Sequence, residues 1–236
     1  MAGNIDLHTH TMYSDGSLTP NQLVVKAKEV GLKAIALTDH DNIAATEVAM
    51  LKGKELGVEV IPAIELTAYM DENSDVSDLH ILGYFIDVRD RELRKKLEFY
   101  QKEREDKSRK VVKNLNAIGY RLEFNEVKKL AKGTIAGPHI AFLVIGKKDN
   151  EGKLREEFGK IPETGEFIQK YLTVGGPAYE ARVAATPKEA IDLIHQARGL
   201  AILAHPCWNL AEKDGKKLIF NDKLIEDLVK IGLDGI

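Results

Sequence analysis

The chain opens with Ile5-Asp6-Leu7-His8-Thr9-His10, a strand-like stretch followed by a loop that contains Ser14-Asp15-Gly16. Alternate residues of a strand point to the same face, so His8 and His10 would present both imidazoles on one side. The loop adds the carboxylate of Asp15, and imidazole with carboxylate suits zinc, iron or manganese. Two histidines alone are equally compatible with ordinary surface or core positions. The stretch therefore predicts a first strand that could begin a metal site.

Four further places share one pattern: the end of a helix, a glycine and then an apolar run. Glycine just past a helix adopts the left-handed cap without steric cost, and near-continuous apolar runs are typical of parallel strands buried on both faces. The glycines and their runs are Gly31 with Leu32–Leu37, Gly57 with Val58–Ile64, Gly199 with Leu200–Ala204 and Gly232 with Leu233–Ile236. Repeated strand–helix units predict a parallel sheet, most simply a βα barrel. Since a closed barrel needs more chain than this, we expect the last strand or strands to be missing at the C-terminus.

The middle of the chain breaks this rhythm. Residues 89–180 show helical periodicity with few strand signals, and they begin with a charged helix, Arg89 to Lys113, in which basic residues outnumber acidic ones. A solvated helix face and an anion-attracting lid explain this excess equally well. The expected buried side of this helical segment is formed by Leu93, Leu97, Val111, Val112 and Leu115. We predict three parts: residues 1–88 as the first part of the barrel, 89–180 as a helical insertion acting as a lid or substrate subdomain, and 181–236 as the second part of the barrel.

Composition narrows the class of protein. The 236 residues suit one barrel-sized α/β domain with an insertion, and the net charge of -3 argues against a stable complex with nucleic acid. The single cysteine, Cys207, excludes an intramolecular disulfide and agrees with a reducing compartment. The first residues lack the pattern of a secretory signal, and no apolar run approaches the ~18 residues of a membrane span. We therefore expect a cytoplasmic protein that does not enter the membrane.

Candidate ligands stand at the edges of the predicted strands, where parallel α/β folds bind their ligands. Thr38-Asp39-His40-Asp41 follows the second strand and Glu65 follows the third. The strand-like run His80–Ile86 begins with a histidine, and Ala204-His205-Pro206 follows a later strand. These side chains would converge with those of the first strand on one mouth, which could hold more than one metal ion.

Taken together, these motifs resemble those of the PHP (polymerase and histidinol phosphatase) family, above all its stand-alone metal-dependent phosphoesterases that act on nucleotides. In chain order they are Asp6–Thr11, Ser14-Asp15-Gly16, Thr38–Asp41, Glu65, His80–Tyr84 and Ala204-His205-Pro206. The resemblance implies a distorted, TIM-like (β/α)7 barrel with two or three divalent metal ions at its mouth, manganese before zinc, iron or magnesium.

The resemblance also assigns ligands to these ions. His8 and His10 would bind the first ion with Glu65 bridging, and Asp15 with His40 would bind a second. The remaining ligands of the cluster would be His80 and His205.

The expected chemistry is attack of a metal-bound hydroxide on phosphorus, since clustered cations acidify bound water and neutralise phosphate oxygens. The leaving oxygen needs a proton, which Asp39 or His205 could supply, although a carboxylate such as Asp39 more often orients its neighbours. The candidates for contact with substrate are Ser14, His139 on the insertion and Trp208, and for His139 and Trp208 a structural role is an open alternative.

The sequence therefore predicts a phosphoesterase that hydrolyses phosphomonoesters of nucleotides or of short oligonucleotide ends. Its partner would be a small phosphorylated substrate. Two alternatives stay open: a histidinol-phosphatase-like enzyme for a non-nucleotide phosphate, and a non-catalytic metal-binding or regulatory module. A proofreading role beside a polymerase is disfavoured, because no polymerase domain accompanies the motifs.

Three departures from the family pattern bear on these expectations. The family's last motif, an aspartate and a histidine near the C-terminus, is absent before Ile236, which puts the activity of this chain in question. Asn42 stands where the second motif usually has threonine, and we expect it to serve as a helix cap. Gly137 stands where relatives often have an arginine before Pro138-His139, which would change affinity or specificity for the substrate phosphate.

Overall fold

The computed structural model describes residues 4–70, 78–181, 183–214 and 217–236. The strands are β1 (Asn4–Thr9), β2 (Leu32–Leu37), β3 (Glu59–Tyr69), β4 (Asp78–Tyr84), β5 (Leu200–Leu203), β6 (Ala211–Asp214) and β7 (Lys217–Phe220). The helices are α1 (Pro20–Glu29), α2 (Thr46–Leu56), α3 (Arg91–Ala117), α4 (Phe124–Leu130), α5 (Gly137–Gly146), α6 (Glu151–Phe158), α7 (Thr164–Tyr171), α8 (Pro187–Gln196), α9 (Pro206–Asn209) and α10 (Asp222–Lys230), with a 3₁₀ turn at Lys148–Asn150.

Among the described residues the main sheet has five strands in the order β1-β2-β3-β4-β5, curled like half of a barrel. The first three strands are parallel, as predicted. The prediction of an all-parallel sheet is wrong at β4, which runs antiparallel to both of its neighbours. β3 continues to Tyr69, so residues 70–77 alone connect it to β4, and a parallel crossover needs a dozen residues or more.

The last residues add the start of another strand at the free edge of β5. Gly235 forms a parallel bridge with Ile202, and its carbonyl accepts a hydrogen bond from Leu203 N at 3.0 Å. The strand opening predicted at the end of the chain is therefore paired to the sheet. The count of seven barrel strands stays a prediction.

The helix boundaries follow the capping signals in the sequence. Thr19 and Thr186 each accept a hydrogen bond from the amide three residues on, and each is part of a reciprocal capping box with a proline at the start of the helix. Asn221 caps α10 through Leu224 N. No helix within the described ranges combines the length and the apolar character of a membrane span.

Within the part of the chain that the structure describes, three hydrophobic clusters hold these elements together. One lies between the sheet, α8 and the start of α3, and one lies under α1 and α2. The third belongs to the helical segment alone and runs from Val111 to Ala178. All five residues predicted as the buried side of the long helical segment are buried. Because α3 contributes to both the first and the third cluster, it joins the helical segment to the sheet.

Candidate metal centre

The carboxylate of Glu65, whose side chain is 1% exposed, is the centre of the candidate site. Each of its oxygens faces imidazole nitrogens from several strands. Around Oε2 lie His8 Nε2 at 3.0 Å, His10 Nε2 at 3.1 Å and His40 Nδ1 at 3.4 Å, and around Oε1 lie His80 Nδ1 at 2.8 Å and His205 Nε2 at 3.1 Å. The structure therefore brings all five strand-edge histidines to one carboxylate.

Strand geometry explains this convergence. His8 and His10 are two positions apart at the end of β1 and so share a face. The central carboxylate lies within β3, not past its end as predicted, and its backbone bridges to that of His40 just after β2. Because β4 is antiparallel, its beginning with His80 lies at the same edge as the end of β5, where His205 follows.

The loop after β1 brings a second carboxylate. Asp15 Oδ1 lies 3.4 Å from His10 Nδ1, and Oδ2 lies 3.6 Å from His40 Nε2. A Cβ at Gly16 would overlap the carbonyl of His10, so the tight loop requires glycine there. Three overlapping groups of possible ligands result, with ligand atoms within 4.8 Å of one another: His8–His10–Glu65, His10–Asp15–His40 and His40–Glu65–His80.

These separations fit divalent metal ions. Ligand atoms about 2.1 Å from an ion, at angles of about 90–109°, lie roughly 3.0–3.4 Å from one another. The distances around the central carboxylate, 2.8 to 3.4 Å, fall close to this range. In addition, His40 Nδ1 is buried and makes no hydrogen bond within the described part of the chain. A buried nitrogen of this kind normally has a partner, and an ion would supply one.

Electrostatics set the protonation of the cluster. Burial alone would raise the pKa of Glu65, but hydrogen bonds from the surrounding imidazoles outweigh it and hold that pKa far below the usual range. The pKa of Asp15 is lowered in the same way: burial would raise it, but the hydrogen bond with His40 and the charges of His40 and His10 outweigh burial. Burial opposes the charged form of His10 too, yet its hydrogen bond to Glu65 and the nearby carboxylate charges raise its pKa. Burial lowers the pKa of His40, which favours the neutral imidazole that a metal requires.

Asp39 lies beneath the cluster and is 2% exposed. Its Oδ1 accepts hydrogen bonds from Thr11 N and Ser14 Oγ, both at 2.7 Å, and its Oδ2 accepts one from Thr11 Oγ1 at 2.6 Å. Ser14 Oγ lies 3.2 Å from His10 Nδ1. Asp39 therefore holds the loop that carries two candidate ligands, which favours the orienting role over the predicted role as proton donor.

The residues predicted to contact the substrate are Ser14, His139 and Trp208. Ser14 is fully buried between Asp39 and His10, and its contact with substrate stays a prediction. His139 Nδ1 accepts a hydrogen bond from Ala136 N, and burial lowers the pKa of the ring. Contact of His139 with substrate stays a prediction. The side chain of Trp208 lies outside the described residues.

Asn42 corrects another expectation, since it does not cap the next helix. Its Oδ1 accepts a hydrogen bond from Ala44 N at 2.9 Å, while its Nδ2 donates to Tyr13 O at 3.0 Å. The helix α2 begins only at Thr46. Asn42 therefore closes a local turn and links the loop after β2 to the loop after β1.

A cavity of about 580 Å³ opens beside the cluster, between the sheet edge and the helical segment. One end is polar and includes Asp15, His40, His80, Arg104 and Lys107. The other end is mostly apolar and is formed by Ile135, Pro138, Ile140, Ile168 and Leu172. The cavity can therefore hold a ligand with one anionic end and one flat or apolar end.

Sequence reasoning missed two residues of this wall, Arg104 and Thr67. Arg104 donates to Asp41 Oδ2 through Nε and to Thr67 Oγ1 through Nη2, both at 2.6 Å. The excess of basic residues on α3 was the available signal, but it does not show which of them turns inward. Asp41, quoted as part of a motif, is buried and is their shared partner.

Comparison with known proteins identifies the family. The PHP domain model matches residues 6–125. A 5′–3′ exoribonuclease of Haemophilus influenzae is 31% identical over 224 residues, covering 94% of this chain and 76% of that protein. The chain belongs to the PHP family. The 5′–3′ exoribonuclease Rnm of Escherichia coli is 30% identical over 91% of this chain and 69% of its own length.

Another PHP relative differs in its reaction. A 3′,5′-nucleoside bisphosphate phosphatase of Chromobacterium violaceum is 28% identical over 99% of this chain and 75% of that protein. A solved amidohydrolase structure from C. violaceum, with bound sulfate and no metal, has a TM-score of 0.80 at 27% identity and covers 99% of this chain and 76% of its own. The predicted family is confirmed, and so is the prediction of a phosphoric ester hydrolase.

Proposed function

We propose that this chain is a divalent-metal-dependent phosphoesterase that hydrolyses a phosphomonoester of a nucleotide or of a short oligonucleotide end. The observation that carries the proposal is the convergence of five imidazoles on the buried carboxylate of Glu65, at the polar end of a cavity. An isolated carboxylate does not need five imidazole partners. A cluster of cations, in contrast, needs many neutral imidazole ligands and one negatively charged carboxylate that the cations share.

The proposed ligands are the seven residues of the cluster. His8, His10 and Glu65 would hold one ion, and Asp15 with His40 would hold another. His80 and His205 would complete the set on the other oxygen of Glu65. Manganese is our first choice because the mixed imidazole and carboxylate donors suit it, as they suit zinc and iron. The proposal also covers two features of the fold. The sheet would be completed to a seven-stranded barrel, and residues 89–180 would form the substrate subdomain.

When bound, divalent ions lower the pKa of water and neutralise phosphate oxygens. The protein's own residues supply position and charge. Asp39 holds the loop of His10 and Asp15 through three hydrogen bonds, which supports an orienting role. Of the two predicted acids, His205 is the one that reaches the cluster. Lys107 at the polar end of the cavity would attract the phosphate before it reaches the ions.

The cavity also favours a nucleotide over a small aliphatic phosphate. Its volume of about 580 Å³ lies in the usual range for a site that encloses one small ligand. The apolar end, with Ile135, Pro138 and Ile168, would accept the face of a base, while the polar end takes the phosphate. Histidinol phosphate has a smaller ring and would leave part of this wall uncovered.

A second candidate is a 5′–3′ exoribonuclease, which cleaves a phosphodiester. It is favoured by two of the relatives that match most of this chain, at 31% and 30% identity. The same cluster of donors could serve either bond, because both reactions need charge neutralisation at phosphorus. These relatives support a nucleotide phosphoester as the substrate, and the experiment below distinguishes a monoester from a diester.

The experiment compares four substrates with added Mn²⁺: a nucleoside 3′,5′-bisphosphate, a nucleoside 5′-monophosphate, a 5′-phosphorylated oligoribonucleotide and histidinol phosphate. We expect inorganic phosphate from the first two. Release of nucleoside monophosphates from the oligoribonucleotide alone would select the exoribonuclease, and preference for histidinol phosphate would select the other alternative. A chain that binds Mn²⁺ but hydrolyses none of the four would be a non-catalytic module, and the proposal would fail.

Single substitutions test the proposed ligands. His10→Ala, His40→Ala and His205→Ala should each lower the metal bound per chain and abolish hydrolysis, with little loss of folded protein. His195→Ala is the matched control, because His195 lies on α8 away from the cluster and hydrogen-bonds to Asp234 near the end of the chain. Metal stoichiometry measured by elemental analysis decides the matter. Unchanged stoichiometry in all three variants would contradict the assignment of the ligands.

A further inference from the structure

The long helix α3 forms hydrogen bonds with Asp41, the residue that follows His40. Gln101 Nε2 donates to the carbonyl of Asp41 at 2.8 Å. One turn later, Arg104 Nε donates to Asp41 Oδ2 at 2.6 Å, and Arg104 Nη2 donates to Thr67 Oγ1 at 2.6 Å. Two neighbouring side chains on one face of the helix therefore hold both the backbone and the side chain of the same residue.

Asp41 is an unusual residue to hold in this way. It is 1% exposed and has a φ of 46°, a left-handed conformation that is uncommon for residues other than glycine, although aspartate tolerates it better than most. Its amide donates to Glu65 O at 2.9 Å, and its Oδ1 accepts from Thr67 N at 3.1 Å. The turn at Asp41 thus sets how the chain leaves His40 and how it meets the strand of Glu65.

We infer that Arg104 is a positioning residue for His40, acting through Asp41, and that helix α3 is in this way a working part of the metal site and not only the edge of a lid. The inference rests on the proposed function for its metal. A buried carboxylate in a strained turn keeps its place when a cation and fixed donors hold it. Arg104 supplies the cation, and Gln101 and Thr67 supply further donors.

Arginine is suited to this task in a way that lysine is not. The guanidinium is planar and presents several donors in a fixed fork, so one side chain can bond Asp41 and Thr67 together. A lysine at the same position could pair with Asp41 as a point charge but would lose the second bond. Arg104 also lies on the cavity wall, so direct binding of the substrate phosphate is the rival role that the experiment must separate.

The experiment compares Arg104→Lys with Arg109→Lys, the same substitution five residues along α3. Arg109 is half exposed and pairs with Glu105, so it is a matched control without contact to the turn. In the metal-free protein, amide hydrogen exchange at Asp41 and Thr67 should accelerate roughly tenfold in Arg104→Lys and stay unchanged in Arg109→Lys. Affinity for Mn²⁺ alone should fall about tenfold, as for other supports of metal ligands.

The readouts separate the possible failures. Unchanged exchange in Arg104→Lys overturns the inference, and so does a raised KM with unchanged Mn²⁺ affinity, which would assign Arg104 to the phosphate. If the wild-type chain takes up no Mn²⁺, the proposed function fails, and the exchange rates alone decide the positioning role. Should Arg104→Lys not fold, Gln101→Met removes only the bond to the Asp41 carbonyl, and it must shift the same two amides in the same direction.

Discussion

Replacing Asp39 with asparagine separates an orienting carboxylate from a proton donor. Asp39 is buried, and its oxygens accept three short hydrogen bonds from Thr11 and Ser14. Asparagine has nearly the same shape, so its Oδ1 can keep the bonds from Thr11 N and Ser14 Oγ. Its Nδ2 would face Thr11 Oγ1, which can turn to accept because a hydroxyl has two lone pairs. The substitution therefore removes the charge with little change of shape.

The expected cost follows from these three bonds. A hydrogen bond to a charged group contributes about 1.5–3 kcal/mol and a neutral one about 0.5–1.5 kcal/mol, so each bond loses about 1 kcal/mol. Asp39→Asn should therefore reduce the free energy of unfolding by about 2–3 kcal/mol. For a chain of this length, 1 kcal/mol shifts the thermal midpoint by roughly 2–4 °C, so we expect a loss of roughly 5–10 °C.

Thermal unfolding and steady-state kinetics on the same preparations test this reasoning. We expect the midpoint to fall as stated while kcat at saturating Mn²⁺ falls less than about tenfold. Asp192→Asn is the control, because Asp192 is an exposed carboxylate on α8 paired with Lys188 and its loss should leave the midpoint unchanged. A proton donor would behave in the opposite way, with kcat reduced about 10²- to 10⁴-fold and the midpoint unchanged, and that result would refute the orienting role.

Two further predictions concern protons and loop packing. Although burial opposes it, the hydrogen bond to Glu65 and nearby carboxylate charges raise the pKa of His10 in the metal-free protein, so below that raised pKa Mn²⁺ must displace a proton. Affinity for Mn²⁺, measured by calorimetry in buffers of different ionisation enthalpy, should rise with pH up to that raised pKa and then level off; an affinity independent of pH from about 6 to 8 would contradict this. Gly133→Ala should lower the thermal midpoint by roughly 3–10 °C, because a Cβ there would overlap the carbonyl of Tyr13. Gly146→Ala, where a Cβ meets open space, is its control, and equal midpoints in the two variants would show that the loop yields without cost.

The first strand shows how far the sequence could lead. A spacing of two fixes the common face of His8 and His10 whatever the rest of the fold does, because side-chain direction alternates along any strand. The glycines after α1 and α2 were equally informative, since Gly31 and Gly57 both have positive φ. Local rules of this kind depend on a few neighbouring residues, and the sequence shows those residues directly.

Strand direction was the first thing the sequence could not supply. A short apolar run such as Ile81–Tyr84 looks the same in a parallel and an antiparallel pair, because the side-chain period is two in both. The useful clue was the length of the loop between β3 and β4. It was missed because the polar residue Glu65 was taken as the end of β3, which made that loop look longer than it is. The strand in fact continues through Leu66 and Ala68, which are buried, and leaves too few residues for a crossover.

Contacts between distant segments were the second feature that the sequence could not supply. The excess of positive charge on α3 was equally compatible with a solvated helix face and with an anion-attracting lid. Neither description alone accounts for the position of Arg104 in the structure. Its pairing with Asp41 joins residues 63 positions apart. Thr134 N likewise donates to the carbonyl of Tyr13, in the loop after β1. No local pattern encodes such pairs, because they exist only once two separately specified elements have packed together.

The hydrogen bonds beneath the cluster also decide which nitrogen of His10 faces the ions. A carboxylate such as Asp39 can only accept, so the hydroxyl of Ser14 donates to Asp39 Oδ1 at 2.7 Å. Its oxygen can then only accept from His10 Nδ1, at 3.2 Å, and Nδ1 must carry the hydrogen. In the neutral ring Nε2 is left with its lone pair, and Nε2 is the atom directed at Glu65. Although burial opposes it, the hydrogen bond between Nε2 and Glu65 and the nearby carboxylate charges raise the pKa of His10, and a metal ion at Nε2 would take the place of the proton there.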